Sequence, residues 1–188
     1  MKEKIRCGWS TKEAIYIEYH DKEWGTPVHD DRKLFEFLVL ESFQAGLSWL
    51  TVLKKRENFR KAFANFDAKK VSKFDKKKVE QLMQDAGIIR NRLKIEAAVN
   101  NAACFLAIQK EFGSFDKYVW GFVGGKPIVN KRNSLGSVPA TTPISDAMSK
   151  DMGKRGFKFR GSTICYAFMQ AVGMVDDHID DCWKKSKK

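Results

Sequence analysis

The chain has 188 residues, 43% of them hydrophobic, which suits a single folded domain with a sizeable core. It contains no continuous apolar stretch of membrane-spanning length, and its first ten residues lack the apolar segment of a secretory signal, so we expect a cytoplasmic protein with no membrane segment. The formal net charge of +12 predicts a polyanionic partner, nucleic acid first and an acidic membrane surface second, although a solvated lysine-rich surface would give the same excess.

The N-terminal third of the chain predicts helices around one strongly apolar stretch. The S-x-x-E pattern at Ser10 predicts a helix that ends at Gly25. The longest apolar run follows over residues 34–53 and reads LFEFLVLESFQAGLSWLTVL. It predicts a buried helix that breaks near Gly46 and leads into further helix over residues 50–66.

Glu41 interrupts this apolar run at a position that faces the predicted core. It lies seven residues after Leu34 and three after Leu38, so the three side chains share one face of a helix. A carboxylate on such a face is costly unless something pairs with it. Two interpretations follow: Glu41 pairs with a cation or with backbone N–H groups, or it lines a pocket and accepts hydrogen bonds from a ligand.

A glycine turn separates two predicted helices in the middle of the chain. Gly87 lies in LMQDAGIIRNRLKI, after a lysine-rich segment and before a long helix. Backbone N–H groups of such a turn can hold an anion, and Arg90, Arg92 and Lys94 add attraction for phosphate. Two structures fit this spacing: a helix–hairpin–helix element over about residues 76–112 that grips the DNA backbone, and a plain corner between helices.

The C-terminal half predicts helices around one long loop. Residues 124–142 combine glycine, proline and asparagine without a sustained periodic pattern and predict that loop. Two helices are predicted to follow, then a last helix that carries His178 and Cys182, then a disordered basic tail over residues 184–188. No alternating strand pattern is present, so the sequence predicts an all-α fold in one domain over residues 1–183.

Two cysteines and two histidines lie near the two ends of the chain. Twelve residues separate Cys7 from His20, and the i, i+4 spacing of His178 and Cys182 presents both to one point if they lie on a helix. Two cysteines and two histidines complete a tetrahedral Zn²⁺ site with no open position for water. The pattern predicts one structural zinc ion that ties the N-terminal segment to the C-terminal one, and four ordinary polar residues are the alternative.

Longer motifs resemble those of the bacterial 3-methyladenine DNA glycosylase I family. They span nearly the whole chain and read CGW at 7–9, YHDKEWG at 19–25, LESFQAGLSWLTVLKKRENFR at 40–60, DAGIIRNRLKI at 85–95 and KRGFKFRGSTICYAFMQAVGMVDDH at 154–178. The resemblance implies an all-helical helix–hairpin–helix glycosylase fold with a zinc site joining the chain ends. It also implies excision of 3-methyladenine from alkylated DNA, a step of base excision repair.

The resemblance assigns three groups of residues. The zinc ligands of the family match four residues of this chain: Cys7, His20, His178 and Cys182. Its base pocket matches one acidic and four aromatic residues: Glu41, Tyr19, Trp49, Trp9 and Trp24. Its DNA-binding hairpin matches the glycine turn and the residues after it: Gly87, Ile88, Arg90 and Arg92.

The resemblance also implies how the pocket would work. The target base must leave the duplex, after which Trp49 would stack on it, Glu41 would accept a hydrogen bond from its amino group as the catalytic residue, and Tyr19 would add a polar contact. Methylation at N3 makes the adenine cationic, so the base departs neutral without a strong general acid. Asp116 follows the hairpin but not in the setting of the catalytic aspartate of related glycosylases, which this family lacks, so the water-activating group stays open.

Three other functions fit parts of the sequence. A related helix–hairpin–helix glycosylase with a broader range of alkylated bases is the alternative among enzymes. A non-catalytic module that binds damaged DNA and a basic helical domain that binds protein or membrane come from other classes. We expect a monomer that acts on alkylated double-stranded DNA without an obligate protein partner.

Overall fold

The computed structural model describes residues 4–10 and 13–186. Within these residues the chain forms ten α-helices: α1 (Ala14–Lys22), α2 (Asp31–Gln44), α3 (Trp49–Leu53), α4 (Arg56–Ala62), α5 (Ala68–Val71), α6 (Lys76–Gln84), α7 (Arg92–Phe112), α8 (Phe115–Gly121), α9 (Pro143–Lys154) and α10 (Ser162–Ala171). Two strands of two residues each, β1 (Ile128–Val129) and β2 (Val175–Asp176), pair in parallel. The predicted helical fold is therefore confirmed, with one short strand pair added.

Helix α2 lies at the centre of the fold. Asp30 caps it by accepting a hydrogen bond from the Lys33 N–H at 2.9 Å. Every residue from 34 to 43 is buried, because α3, α7, α8 and α10 pack around the helix. The apolar run thus forms a helix that is buried on all sides, and it ends two residues before Gly46, as predicted.

Side-chain caps fix where several other helices begin. Asp67, Asp75 and Asn91 accept hydrogen bonds from the first turns of α5, α6 and α7 at 2.8–3.3 Å. Thr142 and the Ser145 side chain form a reciprocal capping box at α9. Such caps satisfy N–H groups that have no partner inside the helix, so they set the helix starts locally.

Two predicted helices near the N-terminus have different bounds. Helix α1 begins at Ala14 rather than at Ser10, since Ser10 Oγ donates to the Cys7 carbonyl at 2.7 Å and Glu13 occupies the N-cap. Residues 11 and 12 of the predicted capping box lie outside the described residues. The helix predicted over residues 50–66 is divided into α3, α4 and a single 3₁₀ turn with positive φ values at residues 64–66.

The last helix predicted from the sequence, which was to carry His178 and Cys182, does not form. After β2 the backbone bonds to the long loop instead of to itself: Asn130 N donates to Asp176 O at 3.1 Å and Asp180 N to Arg132 O at 2.8 Å. These bonds compete with the i→i−4 ladder, so Cys182 ends a short turn, with its N–H on Ile179 O at 2.9 Å. The i, i+4 argument for His178 and Cys182 therefore does not hold as stated.

The segment predicted as the start of a disordered tail is in contact with the domain. Ser186 N donates to Asp176 Oδ2 at 2.9 Å, and Lys184 Nζ donates to Thr26 Oγ1 at 3.3 Å. Residues 184–186 thus depart from that prediction, and residues 187 and 188 lie outside the described residues. Among the described helices, none combines the length and the apolar character needed to cross a bilayer.

Candidate active site and metal centre

A cavity of about 360 Å³ opens beside the centre of α2. It is lined by side chains from α1, α2, α3, α10, the long loop and the segments around them: Trp9, Tyr16, Tyr19, Trp24, Glu41, Gln44, Trp49, Leu135, Val138, Ala167, Gln170 and Asp177. All five residues that the sequence assigned to the base pocket are in this set. The volume and the few polar groups on an aromatic wall are typical of a small-molecule or cofactor site.

The aromatic wall of the cavity is continuous. The Tyr19 and Trp49 rings lie 5.3 Å apart between centroids, and the Trp9 ring lies 6.2 Å from Tyr19 and 4.9 Å from Trp24. Tyr16, one turn before Tyr19 on α1, packs 5.1 Å from Trp9. Tilted and edge-on contacts of this kind hold aromatic rings in fixed orientations, so the wall is preorganised.

Two polar atoms in the cavity are buried without a hydrogen-bond partner among the described residues: Glu41 Oε2 and Trp49 Nε1. Glu41 is 4% exposed, and burial raises the pKa of its carboxyl to about 8. Glu36, five residues earlier on α2, is also buried, but its Oε1 accepts from Arg56 Nε at 2.6 Å. The cationic partner that one interpretation gave to Glu41 is therefore bonded to Glu36 instead. Glu41, which lines the cavity, keeps an oxygen that can accept a hydrogen bond.

A second carboxylate of the cavity, Asp177, is fully paired. It accepts hydrogen bonds from Tyr166 Oη at 2.6 Å, Asn130 Nδ2 at 2.8 Å, Arg132 Nε at 2.8 Å and Gln170 Nε2 at 2.9 Å. Burial favours the protonated form of Asp177, but these donors outweigh it and hold its pKa below the ordinary value. Asp177 therefore holds the long loop and Gln170 in place through its hydrogen bonds. Glu41 is the cavity carboxylate that can still accept a hydrogen bond from a ligand.

Sequence reasoning missed seven of the twelve lining residues: Tyr16, Gln44, Leu135, Val138, Ala167, Gln170 and Asp177. Tyr16 shares a helix face with Tyr19, three residues on, and that periodicity could have found it. Leu135 and Val138 come from a loop without a periodic pattern, so nothing in the sequence placed them. Gln170 looked like one polar position on an apolar helix, and only the fold brings it to Asp177.

The four predicted metal ligands form one buried cluster, and their ligand atoms all lie within 4.8 Å of one another. Cys7 Sγ is 3.5 Å from His178 Nδ1, and Cys182 Sγ is 3.4 Å from His20 Nε2 and 3.5 Å from His178 Nδ1. A tetrahedral ion with Zn–S near 2.3 Å and Zn–N near 2.0–2.1 Å would separate sulfur and nitrogen ligands by about 3.5 Å. The cluster therefore has the donor set and the spacing of a metal site.

Outer hydrogen bonds orient both histidines toward the cluster. His20 Nδ1 lies 2.8 Å from Asp21 Oδ1, and Arg6 in turn donates to Asp21 at 2.8–3.1 Å. His178 Nε2 lies 3.2 Å from the Trp24 carbonyl oxygen. Each ring thus uses its outer nitrogen on the protein and points the other at the cluster, which is the usual arrangement of metal-binding histidines.

Burial shifts the pKa values of two cluster residues in ways that bear on metal binding. Burial raises the pKa of the Cys7 thiol to about 12 and lowers the pKa of His178 to about 4. Neutral imidazoles are ready to bind a metal, whereas buried thiols lose their protons only when a cation stabilises the thiolates. The free thiols at Cys7 and Cys182 are consistent with ligands rather than with a disulfide.

The predicted hairpin lies between α6 and α7, but several of its groups are already used. Gly87 N donates to Asp85 Oδ1 at 2.7 Å, and Ile88 is buried. Arg92 makes a two-fold ion pair with Glu80 at 2.6 and 2.8 Å. Arg90 is exposed, with no hydrogen bond to the described residues, so its guanidinium is the one of these side chains that is open to a partner.

Two other residues named from the sequence lie outside any site. Lys94 is buried and donates from Nζ to the Phe43 carbonyl at 2.8 Å, so it caps the end of α2 and is not a phosphate contact. Asp116 Oδ1 lies 2.7 Å from His29 Nδ1 on the surface and does not line the cavity. The position of Asp116 agrees with the expectation that it is not the catalytic aspartate of related glycosylases.

The sequence and the structure of this chain are both similar to those of methyladenine glycosylases. The family model described as methyladenine glycosylase matches residues 9–185. A DNA-3-methyladenine glycosylase of Haemophilus influenzae is 54% identical over 177 residues, which are 94% of this chain and 96% of that protein. A crystal structure of a 3-methyladenine DNA glycosylase I matches with a TM-score of 0.95 and 50% identity over 97% of this chain and 100% of that one. Another, a variant in complex with 3-methyladenine, matches with a TM-score of 0.94 and 38% identity over 97% and 98%.

The unpaired state of Glu41 predicts a pH-dependent cost in stability. Because its pKa is about 8 in the folded state and near 4.5 when unfolded, the folded protein holds an extra proton between these values, and its stability falls as pH rises through this window. We expect Glu41→Gln to raise Tm relative to the natural chain by at least about 3 °C at pH 8, and by less at pH 5. Thermal unfolding of both proteins across this range tests the point, and an equal Tm difference at both pH values would contradict it.

Proposed function

The chain belongs to the methyladenine glycosylase family, and on this premise we propose which of its residues carry out the release of 3-methyladenine from alkylated DNA. The protein is a DNA glycosylase that hydrolyses the N-glycosidic bond, a step of base excision repair. We assign base recognition to the aromatic cavity beside α2. The observation that carries this assignment is that Glu41 Oε2 and Trp49 Nε1, one acceptor and one donor, are buried there without partners.

The unpaired oxygen of Glu41 suits a purine that arrives from outside. Burying an unsatisfied polar group costs roughly 1–3 kcal/mol, so the carboxyl gains when a ligand completes its hydrogen bond. A purine edge offers an amino group to Glu41, whereas the Trp49 N–H lies in the plane of a ring that stacks on the face of the base, so its acceptor must lie outside that base. We assign stacking to Trp49 and a further polar contact to Tyr19, whose hydroxyl stays protonated because burial and the nearby Glu41 charge raise its pKa.

The charge of the lesion determines how the pocket acts. N3-methylation makes the adenine in DNA cationic, so a carboxylate at Glu41 gains a charge-assisted hydrogen bond and the aromatic wall gains cation–π energy of about 0.5–2 kcal/mol. The bond between the sugar carbon and the base breaks with both electrons passing to the base, which leaves as neutral 3-methyladenine. Water adds to the oxocarbenium-like sugar and loses a proton. Recognition, rather than a strong general acid, supplies the rate.

Leu47 is well placed to enter the duplex when the base leaves it. It is 41% exposed in the turn that joins α2 to α3, the two helices that carry Glu41 and Trp49. Gly46 before it has φ of +78°, with no atom near the place of a Cβ, so the turn projects freely from the surface. We assign to Leu47 the apolar contact that occupies the gap left by the flipped base.

Alkylated double-stranded DNA is the partner that this site requires. We assign the hairpin of residues 85–91 to the DNA backbone, with Arg90 as its main phosphate contact because Arg92 is neutralised by Glu80. The net charge of +12 supplies the general attraction. We propose that one chain acts alone on one lesion, without an obligate protein partner, and that it works in the cytoplasm, where bacterial DNA lies and where its four free cysteines stay reduced.

We propose Zn²⁺ as the metal of the Cys7–His20–His178–Cys182 cluster. The set of two thiolates and two imidazoles suits zinc, and the four ligands leave no coordination position for substrate. When bound, the ion supplies structural cross-linking and no chemistry of the reaction. It would hold residues 4–10 against the segment after β2, so Trp9 and Trp24 stay in the cavity wall.

Removing the Glu41 carboxylate tests the role of the pocket. We expect Glu41→Ala to slow release of 3-methyladenine from alkylated duplex DNA by at least about tenfold, equal to 1.4 kcal/mol of transition-state stabilisation, because no other unpaired carboxylate lines the described cavity. Chromatography of the released bases measures the rate, and circular dichroism checks the fold. A folded variant with unchanged release would make Glu41 structural.

Metal analysis tests the zinc assignment. We expect protein purified without chelator to carry one zinc per chain, and Cys182→Ser to lose it together with thermal stability, because a ligand set of three no longer holds the ion in place. Cys104→Ser is the matched control, since Cys104 lies outside the cluster and should leave the zinc content unchanged. Natural protein without zinc, or equal zinc in both variants, would contradict the assignment.

The salt dependence of binding tests the DNA surface. We expect affinity for undamaged duplex DNA to fall steeply as salt rises, because phosphate contacts release counterions, and Arg90→Gln to reduce the slope by about one unit. Glu41→Ala serves as the control, since an undamaged duplex leaves the pocket unused and the slope should stay that of the natural chain. Fluorescence anisotropy at several salt concentrations gives the slopes. A flat titration would exclude the assigned surface.

A further inference from the structure

We infer that Gln170 is a specificity-determining residue of the pocket, which Asp177 orients so that Gln170 Oε1 accepts a hydrogen bond from the 6-amino group of the flipped-out base. This inference rests on the proposed function of the cavity. It concerns a side chain that lines the same cavity as Glu41 but comes from a different helix, α10.

The orientation of the Gln170 amide follows from its partner. Gln170 Nε2 lies 2.9 Å from Asp177 Oδ2. A carboxylate that already accepts from Tyr166, Asn130 and Arg132 acts only as an acceptor, so the nitrogen of the amide must face it. The oxygen of the amide is then directed away from Asp177, and no donor among the described residues bonds to it.

Hydrogen bonds hold both the backbone and the side chain of Gln170 in place. Its backbone carbonyl accepts from Gly25 N at 3.0 Å, which ties the last turn of α10 to the end of the segment that carries Trp24. Its side chain is tied to Asp177, which is 1% exposed and is anchored to the long loop through Arg132. A side chain held at both ends presents its free oxygen at little entropic cost, as a binding site requires.

The chemistry of the lesion supplies the missing donor. The 6-amino group of 3-methyladenine carries two hydrogens, and Glu41 can accept only one of them in a planar arrangement. The second would be buried without a partner unless the pocket offers another acceptor, and Gln170 Oε1 is that acceptor. A guanine methylated at N3 has a carbonyl oxygen at the same ring position. Gln170 Oε1 would then face this oxygen, and two acceptors cannot form a hydrogen bond. A site built for a hydrogen bond rejects strongly the analogue that cannot make it.

Gln170→Met tests the inference with a side chain of similar length and no hydrogen-bonding amide. Alkylated duplex DNA containing both 3-methyladenine and 3-methylguanine is the substrate, and the two released bases are measured together. We expect the ratio of 3-methyladenine to 3-methylguanine release to fall by about tenfold in kcat/KM, the effect of one unmade hydrogen bond to a buried donor. Affinity for free 3-methyladenine, measured by calorimetry, should fall by a similar factor.

The same experiment separates this inference from the proposed function. If the natural chain releases no 3-methyladenine, the function of the cavity is wrong and this inference falls with it. If the natural chain releases 3-methyladenine and Gln170→Met leaves the ratio unchanged, only the role of Gln170 is overturned. A ratio that falls while zinc content and Tm stay constant supports the role, because a purely structural residue would slow release of both bases alike.

Asp177→Asn tests whether Asp177 sets the orientation. Arg132 and Asn130 donate to Oδ1, so the new amide nitrogen would lie at the Oδ2 position, where the Tyr166 hydroxyl can turn its own hydrogen away. The nitrogen would then donate to Gln170 Oε1, which turns the Gln170 amide around. We expect the ratio to fall in the natural background and not to fall further in the Gln170→Met background. Asn130→Ala, which removes a different donor from the same carboxylate, should keep the natural ratio.

Additive effects of Asp177→Asn and Gln170→Met, or equal effects of Asp177→Asn and Asn130→Ala, would overturn the orienting role. Metal analysis accompanies each variant because His178 follows Asp177 directly in the chain. If Asp177→Asn loses metal, the comparison of Gln170→Met with the natural chain decides the inference alone.

Discussion

The pocket depends on how the two ends of the chain meet. Cys7 and His20 come from the N-terminal segment, His178 and Cys182 from the segment after β2, and their four ligand atoms converge within 4.8 Å. This convergence sets the cavity as well, because the Trp24 ring packs 4.6 Å from the His178 ring. The proposed metal would restrain the segments that carry Trp9 and Trp24, two rings of the aromatic wall, which would otherwise fray.

Two buried glutamates of α2 differ in whether their charge is compensated by hydrogen-bond partners. Glu36 is paired with Arg56 and Arg60, so its burial is compensated by charge and hydrogen bonds. Glu41 has an unpaired oxygen, and burial alone accounts for its raised pKa. A fold selected only for stability would favour an apolar residue there, so the uncompensated carboxyl is a cost that fits the ligand-binding role proposed for Glu41.

Local signals predicted much of the fold, and tertiary competition limited the rest. Asp67 and Asp75 are recognisable as caps from the sequence because a cap needs only its own helix turn. The prediction of a last helix was wrong because the backbone of β2 pairs with β1, and this pairing joins residues 47 positions apart in the sequence. For the site, motifs identified Glu41 and Trp49, whereas the pairing of Gln170 with Asp177 exists only in the folded chain.

The distribution of charge explains how a strongly basic protein can select a cationic base. Its net charge of +12 attracts DNA of any sequence, so the outer surface cannot distinguish a lesion. The cavity has the opposite character, because Asp177 is neutralised by Arg132 and the only uncompensated carboxyl of the described lining is Glu41. With a pKa of about 8 in the free protein, Glu41 holds its proton near neutral pH and presents no net charge to a neutral adenine. In the role proposed for Glu41, a cationic base would lower that pKa on entry and form an ion pair with the carboxylate, so the pocket would respond to the charge that methylation adds.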